Sequence, residues 1–303
     1  MRDEATSSRW FDDEVFGVVP TVEVAIRASG ALPKTTLELQ LDDRRLCFEL
    51  LVYPHRTGPA PAVVGLNFNG NAATLPGGRR HHRWPVDVIH EHGFALVTLH
   101  AADIDRDEHD FTDGVHGLLS VGHAFGTLAA WAWGLSRVLD WMLTRPDVFD
   151  PQRIVSAGHS RMGKAALLAA ARDPRFAGVF ANGSGCFGAA LHAGKTGEQP
   201  SDIARFTHWF CPAFYEWVAR GDRPKFDQDA LLETIVPRPI AVGSAADDAW
   251  ADPDAERRCV ELLQSQHLSA PLFHHCRPGG HDINADDWRP ALDFLREALS
   301  RPR

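Results

Sequence analysis

The stretch Ile154-Val155-Ser156-Ala157-Gly158-His159-Ser160-Arg161-Met162-Gly163-Lys164 decides how the fold is read. A short apolar run enters a tight, glycine-flanked turn carrying one serine, and the alanine-rich segment Ala165 to Arg172 follows at once. Strand, sharp turn and helix in that order form a nucleophile elbow. The turn holds a serine hydroxyl out from the sheet at the positive end of a helix, where backbone N–H groups stabilise a developing oxyanion. The general pattern is Gly-x-Ser-x-Gly, whereas here Met162 stands two after the serine and the glycine comes at Gly163. The same letters also fit an ordinary strand-to-helix turn, since short motifs recur by chance.

Two further segments bear on that choice. Arg277-Pro278-Gly279-Gly280-His281-Asp282 puts a histidine after a tight turn, just before an amphipathic segment from Trp288 to Leu299. Between it and the elbow, the apolar strand Ile240-Ala241-Val242 runs into Ala246-Asp247-Asp248-Ala249-Trp250-Ala251-Asp252-Pro253. An acid on the loop after a late strand completes the chain order Ser, Asp, His of an α/β-hydrolase. Asp247, Asp248 and Asp252 all qualify; Asp248 is favoured, because Asp252 before Pro253 also reads as a helix cap.

Short apolar strands alternate with helical patterns around these segments. Residues 33–54 read as β structure, Ala62 to Phe68 and Phe94 to Leu99 as buried strands, and Ala177 to Ala181 as another. Leu128, Trp131, Leu135, Val138 and Trp141 recur at helical spacing within residues 125–145, and Asp254 to Gln266 reads as a further helix. The expectation is a mostly parallel central sheet with helices on both faces. Residues 1–303 form one α/β-hydrolase domain in this reading, with residues 186–236, rich in aromatics and poor in strand signals, as a helical and loop insertion over the active site.

The 303-residue chain carries a net charge of −9, which argues against a broad phosphate-binding surface. The basic run Arg79-Arg80-His81-His82-Arg83 reads as a solvated loop, so no nucleic-acid partner is expected. Nothing approaches the ~20 apolar residues of a membrane span. The first eight residues lack the apolar core of a signal peptide, which places the protein in the cytoplasm unless the start has been trimmed. Five scattered cysteines without a C-x-x-C pair read as buried reduced thiols. The pairs His81-His82 and His274-His275 are adjacent, and adjacent strand residues face opposite ways, so neither metal nor cofactor is expected.

The elbow resembles that of the glucuronoyl esterases, carbohydrate esterase family 15, an α/β-hydrolase family whose serine-arginine-x-glycine-lysine is matched by Ser160, Arg161, Gly163 and Lys164. Ala130 to Arg137, Ser184-Gly185-Cys186, His208-Trp209-Phe210-Cys211, Trp250-Ala251-Asp252-Pro253 and Arg277 to Asp282 extend the resemblance over roughly residues 60–298, mainly to bacterial members. It implies that Ser160 attacks an ester carbonyl, His281 takes its proton, and Arg161 lends its side chain to the oxyanion hole. It further implies that Lys164, Trp250 and Glu198 bind the sugar acid, the last on a looser match. Many members place the acid 23 residues after the serine, where this chain has Gly183; others use the later loop, where Asp248 stands.

The implied reaction is serine-dependent hydrolysis of a (4-O-methyl-)glucuronate ester, with a small-molecule or oligosaccharide substrate. An acetyl esterase acting on acetylated sugars needs the same triad. A non-catalytic sugar-binding protein on a hydrolase scaffold is the reading of another class. Three further features stay open between function and structure. Asn67, Asn69 and Asn71 follow the strand that supplies a second oxyanion donor, or simply form a turn. Asp103 and Asp105, just after a strand end, do chemistry or only hold the loop by hydrogen bonds. One of Trp131 and Trp133 reaches the cleft, or both only pack.

Overall fold

The computed structural model describes residues 4–79 and 81–301. Its centre is a nine-stranded sheet in the order β1-β2-β3-β5-β4-β6-β7-β8-β9. The strands are β1 (Ala25–Ala31), β2 (Lys34–Leu41), β3 (Arg44–Tyr53), β4 (Ala60–Asn67), β5 (Ala95–His100), β6 (Phe149–His159), β7 (Gly178–Asn182), β8 (Ile240–Ala245) and β9 (Leu272–Arg277). The first three and the β3–β5 junction are antiparallel, and the six strands from β5 to β9 are parallel. This is the mostly parallel α/β-hydrolase sheet that the sequence predicts.

The central strands are apolar on both sides because both sides are covered. Along β4 and β5, Val64, Leu66, Val97 and Leu99 enter one core, while Val63 and Leu96 enter the other. The larger core lies under helices Thr127–Leu143, Arg161–Arg172 and Pro253–Gln266. The smaller is closed by Val86–Glu91 and Ala285–Ser300, with Trp288 fully buried at its centre. Residues 186–236 hold the short helices Pro200–Ile203, Pro212–Ala219 and Gln228–Glu233, packed through Phe210, Phe214 and Trp217 against Phe11 and Phe16 near the start of the chain.

Several readings need correction. The sequence pattern does not mark β1 and β9 as strands: β1 is an edge whose residues are almost all exposed, so it lacks alternation, and β9 carries the polar run His274-His275-Cys276. The final helix starts at Ala285, three residues early, because Asn284 and Asp287 form a capping box there. Cys186, Cys211 and Cys259 are buried free thiols, but Cys47 and Cys276 are exposed. In the basic run, Arg83 is not a solvated residue: it pairs with Asp282 at 2.7 Å and is half-buried, while Arg80 lies outside the described residues. No helix among the described residues is long and apolar enough to cross a membrane, and none of their His, Cys, Asp and Glu side chains group as a metal site.

Candidate active site

The parallel strands all end on one edge, and the loops there carry the candidate residues, where an open α/β sheet places its ligands. β6 ends at His159, and Ser160 follows with φ 58° and ψ −129° before the helix begins at Arg161. Positive φ is costly for a non-glycine residue, and strain of this kind collects at functional sites. Two glycines make the turn possible. A Cβ on Gly158 would lie 2.1 Å from the Met162 carbonyl oxygen, and one on Gly163 would lie 3.1 Å from Ser184 Cβ. The close approach therefore falls at position 163, and Met162 is simply buried, which accounts for the displaced second glycine.

Ser160 Oγ lies 2.9 Å from His281 Nε2, and His281 Nδ1 lies 2.6 Å from Asp248 Oδ2. Burial alone raises the Asp248 carboxyl. The hydrogen bond and charge of His281, with the Ala251 N–H, outweigh it and hold Asp248 below the usual carboxylate range. Asp247 is exposed. Asp252 caps the helix Pro253–Gln266 through the Ala255 N–H, and it accepts the N–H groups of Thr196 and Gly197 at 2.6 and 2.9 Å. Of the three acids, only Asp248 meets the imidazole. Gly183, at φ 50°, sits beside this pair: a Cβ there would lie 3.5 Å from both Asp248 Oδ2 and His281 Nδ1.

Arg161 packs its guanidinium against Phe68, Phe206 and Trp209, with ring centroids 5.4, 5.6 and 4.8 Å away, and it pairs with Asp107. Its buried Nε finds no hydrogen-bond acceptor among the described residues. Asp107 also accepts His208 Nε2 at 2.9 Å and Trp209 Nε1 at 2.7 Å. Burial works to raise its carboxyl, but His208, Arg161 and Trp209 bring it down. Sequence reasoning missed Asp107, which sits in an acidic run that looks solvated. The neighbouring Asp103 and Asp105 do hold loops: Asp103 accepts the Glu49 N–H, and Asp105 pairs with buried His116.

Two cavities meet at Ser160, Arg161 and His281. One, of about 180 Å³, is lined by Lys164, Glu198, Trp250 and Arg205. Trp250 is 43% exposed, with Arg205 stacked 4.9 Å above its ring. Lys164 and Glu198 are buried; the ammonium donates to the carbonyls of Ser184 and Cys186 at 2.7 and 2.6 Å and reaches Glu198 at 3.4 Å. The other, an open groove of about 380 Å³, is lined by Phe68, Asn69, Arg83 and His100. Asn67 and Asn71 bond one another, so of the three asparagines only Asn69 lines the groove. Neither Trp131 nor Trp133 lines either cavity. Trp131 is core and donates to the Asp105 carbonyl, and Trp133 packs under Arg137.

Residues 41–267 match the family model of fungal glucuronyl esterases, three-quarters of the chain. The chain belongs to the glucuronyl esterase family. Membership makes it a carboxylic ester hydrolase. Among curated relatives, it is 29% identical to the carbohydrate esterase MZ0003 of an unknown prokaryotic organism, over 97% of this chain and 83% of that one. It is 28% identical to the 4-O-methyl-glucuronoyl methylesterase of Podospora anserina, over 82% of this chain, and spans 52% of that enzyme's length. Among solved structures, the glucuronoyl esterase from Solibacter usitatus superposes with a TM-score of 0.88 at 26% identity, covering 99% of this chain and 93% of that one. A promiscuous CE15 esterase from a marine bacterial metagenome gives 0.86 at 26%, covering 98% and 91%.

A buried histidine lies beside the candidate base. His159, whose ring centroid lies 4.6 Å from that of His281, is drawn down to about 3 by burial, reinforced by His281 and Arg83. Burial also brings His192 and His274 to about 4. In the unfolded chain each takes up a proton as pH falls through about 6.5. Between there and pH 4 the unfolded state binds more protons, so stability falls as the solution is acidified. The expected contribution of His159 is on the order of 3 kcal/mol by pH 4. Glu256 and Asp287, raised by burial, act the other way, so the informative quantity is a difference between proteins. Urea midpoints for the wild type and His159→Gln should converge from pH 7 to pH 4. Parallel curves would mean that His159 is not the group concerned.

Proposed function

We propose that this chain hydrolyses esters of glucuronic or 4-O-methylglucuronic acid through an acyl-enzyme formed on Ser160. His281, oriented by Asp248, takes the serine proton and returns it to the leaving alcohol. The first N–H groups of the elbow helix and the Arg161 side chain hold the tetrahedral oxyanion. The continuous hydrogen-bonded path from Ser160 through His281 to Asp248 carries this reading. It also weighs against a non-catalytic sugar-binding role, which has no use for a strained serine aligned on an imidazole.

The two cavities divide the substrate. The smaller one is on the scale of one sugar ring; Trp250 offers its exposed face, and Glu198, fixed by a buried Lys164 whose three N–H groups are already taken, offers its carboxylate to the hydroxyls. The open groove past Phe68 and His100 is left for the alcohol. The relatives' name, 4-O-methyl-glucuronoyl methylesterase, supports the choice of acid. Residues 186–236 act as an insertion within one α/β-hydrolase domain, forming the far wall of the sugar cavity through Glu198, Arg205, Phe206 and Trp209.

The test is steady-state kinetics on methyl glucuronate and on an aryl acetate, which has no sugar ring. Arg161→Ala should lower kcat by ~10²–10³ on both, the cost of losing one oxyanion donor, with little change in KM. Trp250→Ala should raise KM about tenfold for the glucuronate, on the order of 1.4 kcal/mol, and leave the acetate within twofold. Lys164→Ala is less diagnostic, because removing the ammonium also strips two carbonyls and Glu198 of their donor. Should wild type turn over acetylated sugars but not the glucuronate, the acetyl esterase reading replaces this one.

A further inference from the structure

The candidate nucleophile and base ride on segments 121 residues apart in the chain, yet Oγ and Nε2 lie 2.9 Å apart. A buried polar chain runs beneath them. Asn182, at the end of β7, holds the elbow twice: its carbonyl accepts the Ser160 N–H at 2.8 Å, and its Oδ1 accepts His159 Nδ1–H at 2.8 Å. Its Nδ2 donates to Asp287 Oδ1 at 3.0 Å. Asp287 Oδ2 accepts Arg277 Nε at 2.7 Å. The remaining Arg277 donors reach the carbonyls of Pro278, Gly280 and Asp282 at 2.8, 3.1 and 2.5 Å, the last two flanking His281. Asn182 and Asp287 are each 1% exposed, His159 5% and Arg277 6%.

We propose that Asn182 and Asp287 are positioning residues that set the Ser160–His281 distance, an inference that rests on the triad reading above. Every link is directional. Asn182 must turn its oxygen to His159 and its amide to Asp287, because the carboxylate only accepts. A buried hydrogen-bonded network of this kind favours one geometry, and a serine displaced by 1 Å from its base can cost about 10² in rate. Asn182, Asp287 and Arg277 line neither the sugar cavity nor the groove; the network meets the triad through the Ser160 N–H, the His159 ring beside His281 and the carbonyls flanking His281. Its loss should therefore appear in kcat rather than in KM.

The experiment uses full-length protein well below its melting temperature and two readouts: kinetics on methyl glucuronate, and the rate at which a small fluorophosphonate labels Ser160. Labelling needs the Ser–His geometry but no sugar binding. Asn182→Ala, or the milder Asn182→Ser if the alanine variant does not fold, should lower kcat and labelling together by about 10–100-fold, with KM within about twofold. Asp287→Asn should do the same. The swap Asn182→Asp with Asp287→Asn restores one carboxylate and one amide with complementary donors, and should recover labelling to within about threefold of wild type. Leu39→Ala, in the core between β2 and the helices, destabilises without touching this chain and should label normally. Wild-type labelling in the Asn182 variants, equal losses in Leu39→Ala, or a swap no better than its single parents would each overturn the proposal. An unlabelled wild type would instead overturn the triad reading.

Discussion

Ser160→Ala is expected to lower turnover of methyl glucuronate by on the order of 10⁶, while the protein stays folded, and His281→Ala should match it. The reasons are local. Among the described residues the serine hydroxyl has one side-chain partner, His281, and makes no capping bond to its own helix. Alanine at the same position meets the same backbone strain as serine, so folding loses little. What disappears is the covalent route. Residual catalysis from the helix N-terminus and Arg161 should remain 10³–10⁴ above water, since those donors act on any attacking oxygen. Purified variant, checked for residual wild type by active-site titration, settles the matter in steady-state assays. Retention of more than a tenth of the activity would mean that another nucleophile does the chemistry.

The second large effect belongs to the acid. Asp248→Asn should lower turnover by about 10⁴ with little loss of stability. The amide still accepts the Ala251 N–H, as Oδ1 does now, but it cannot hold the imidazole in the Nδ1–H tautomer or stabilise the imidazolium that forms when Ser160 is deprotonated. Asp252→Asn is the matched control. Its carboxylate accepts three backbone N–H groups and never reaches His281, so it should lower the melting temperature and, through the loop carrying Glu198, raise KM modestly. A larger turnover loss in Asp252→Asn than in Asp248→Asn would reverse the assignment.

The candidate centre was legible in the sequence because its demands are local. A sharp strand-to-helix turn needs glycines at fixed offsets, and Pro278-Gly279-Gly280 marks the turn before the base. Asp248 could be ranked above Asp252 because Pro253 made the latter a helix cap, as it is. What stayed hidden depends on the packing of distant segments. Asp107 looks like one more acid in a polar loop until the fold lays Arg161, His208 and Trp209 over it. Arg83 looks solvated until the fold brings Asp282, about 200 residues on, against it. Asn182 and Asp287 belong to a strand end and a helix cap, and nothing in either neighbourhood announces the other. The edge strands β1 and β9 lack the alternation that a covered face imposes, so pattern alone could not find them.

Gly183 has a consequence for how such enzymes diverge. Its missing side chain would start 3.5 Å from the same imidazole nitrogen that Asp248 now holds. Two loops, 65 residues apart in this chain, thus open onto one spot beside the base. An ancestor carrying carboxylates on both would have kept an oriented imidazole throughout, with the like charges leaving one of them protonated and dispensable. Loss of either then becomes a neutral step, and two lineages can inherit the same reaction with their acids on different strands. The step is harder to retrace than to take. Once residue 183 has settled at φ 50°, a returning side chain must first relax the turn that glycine allowed.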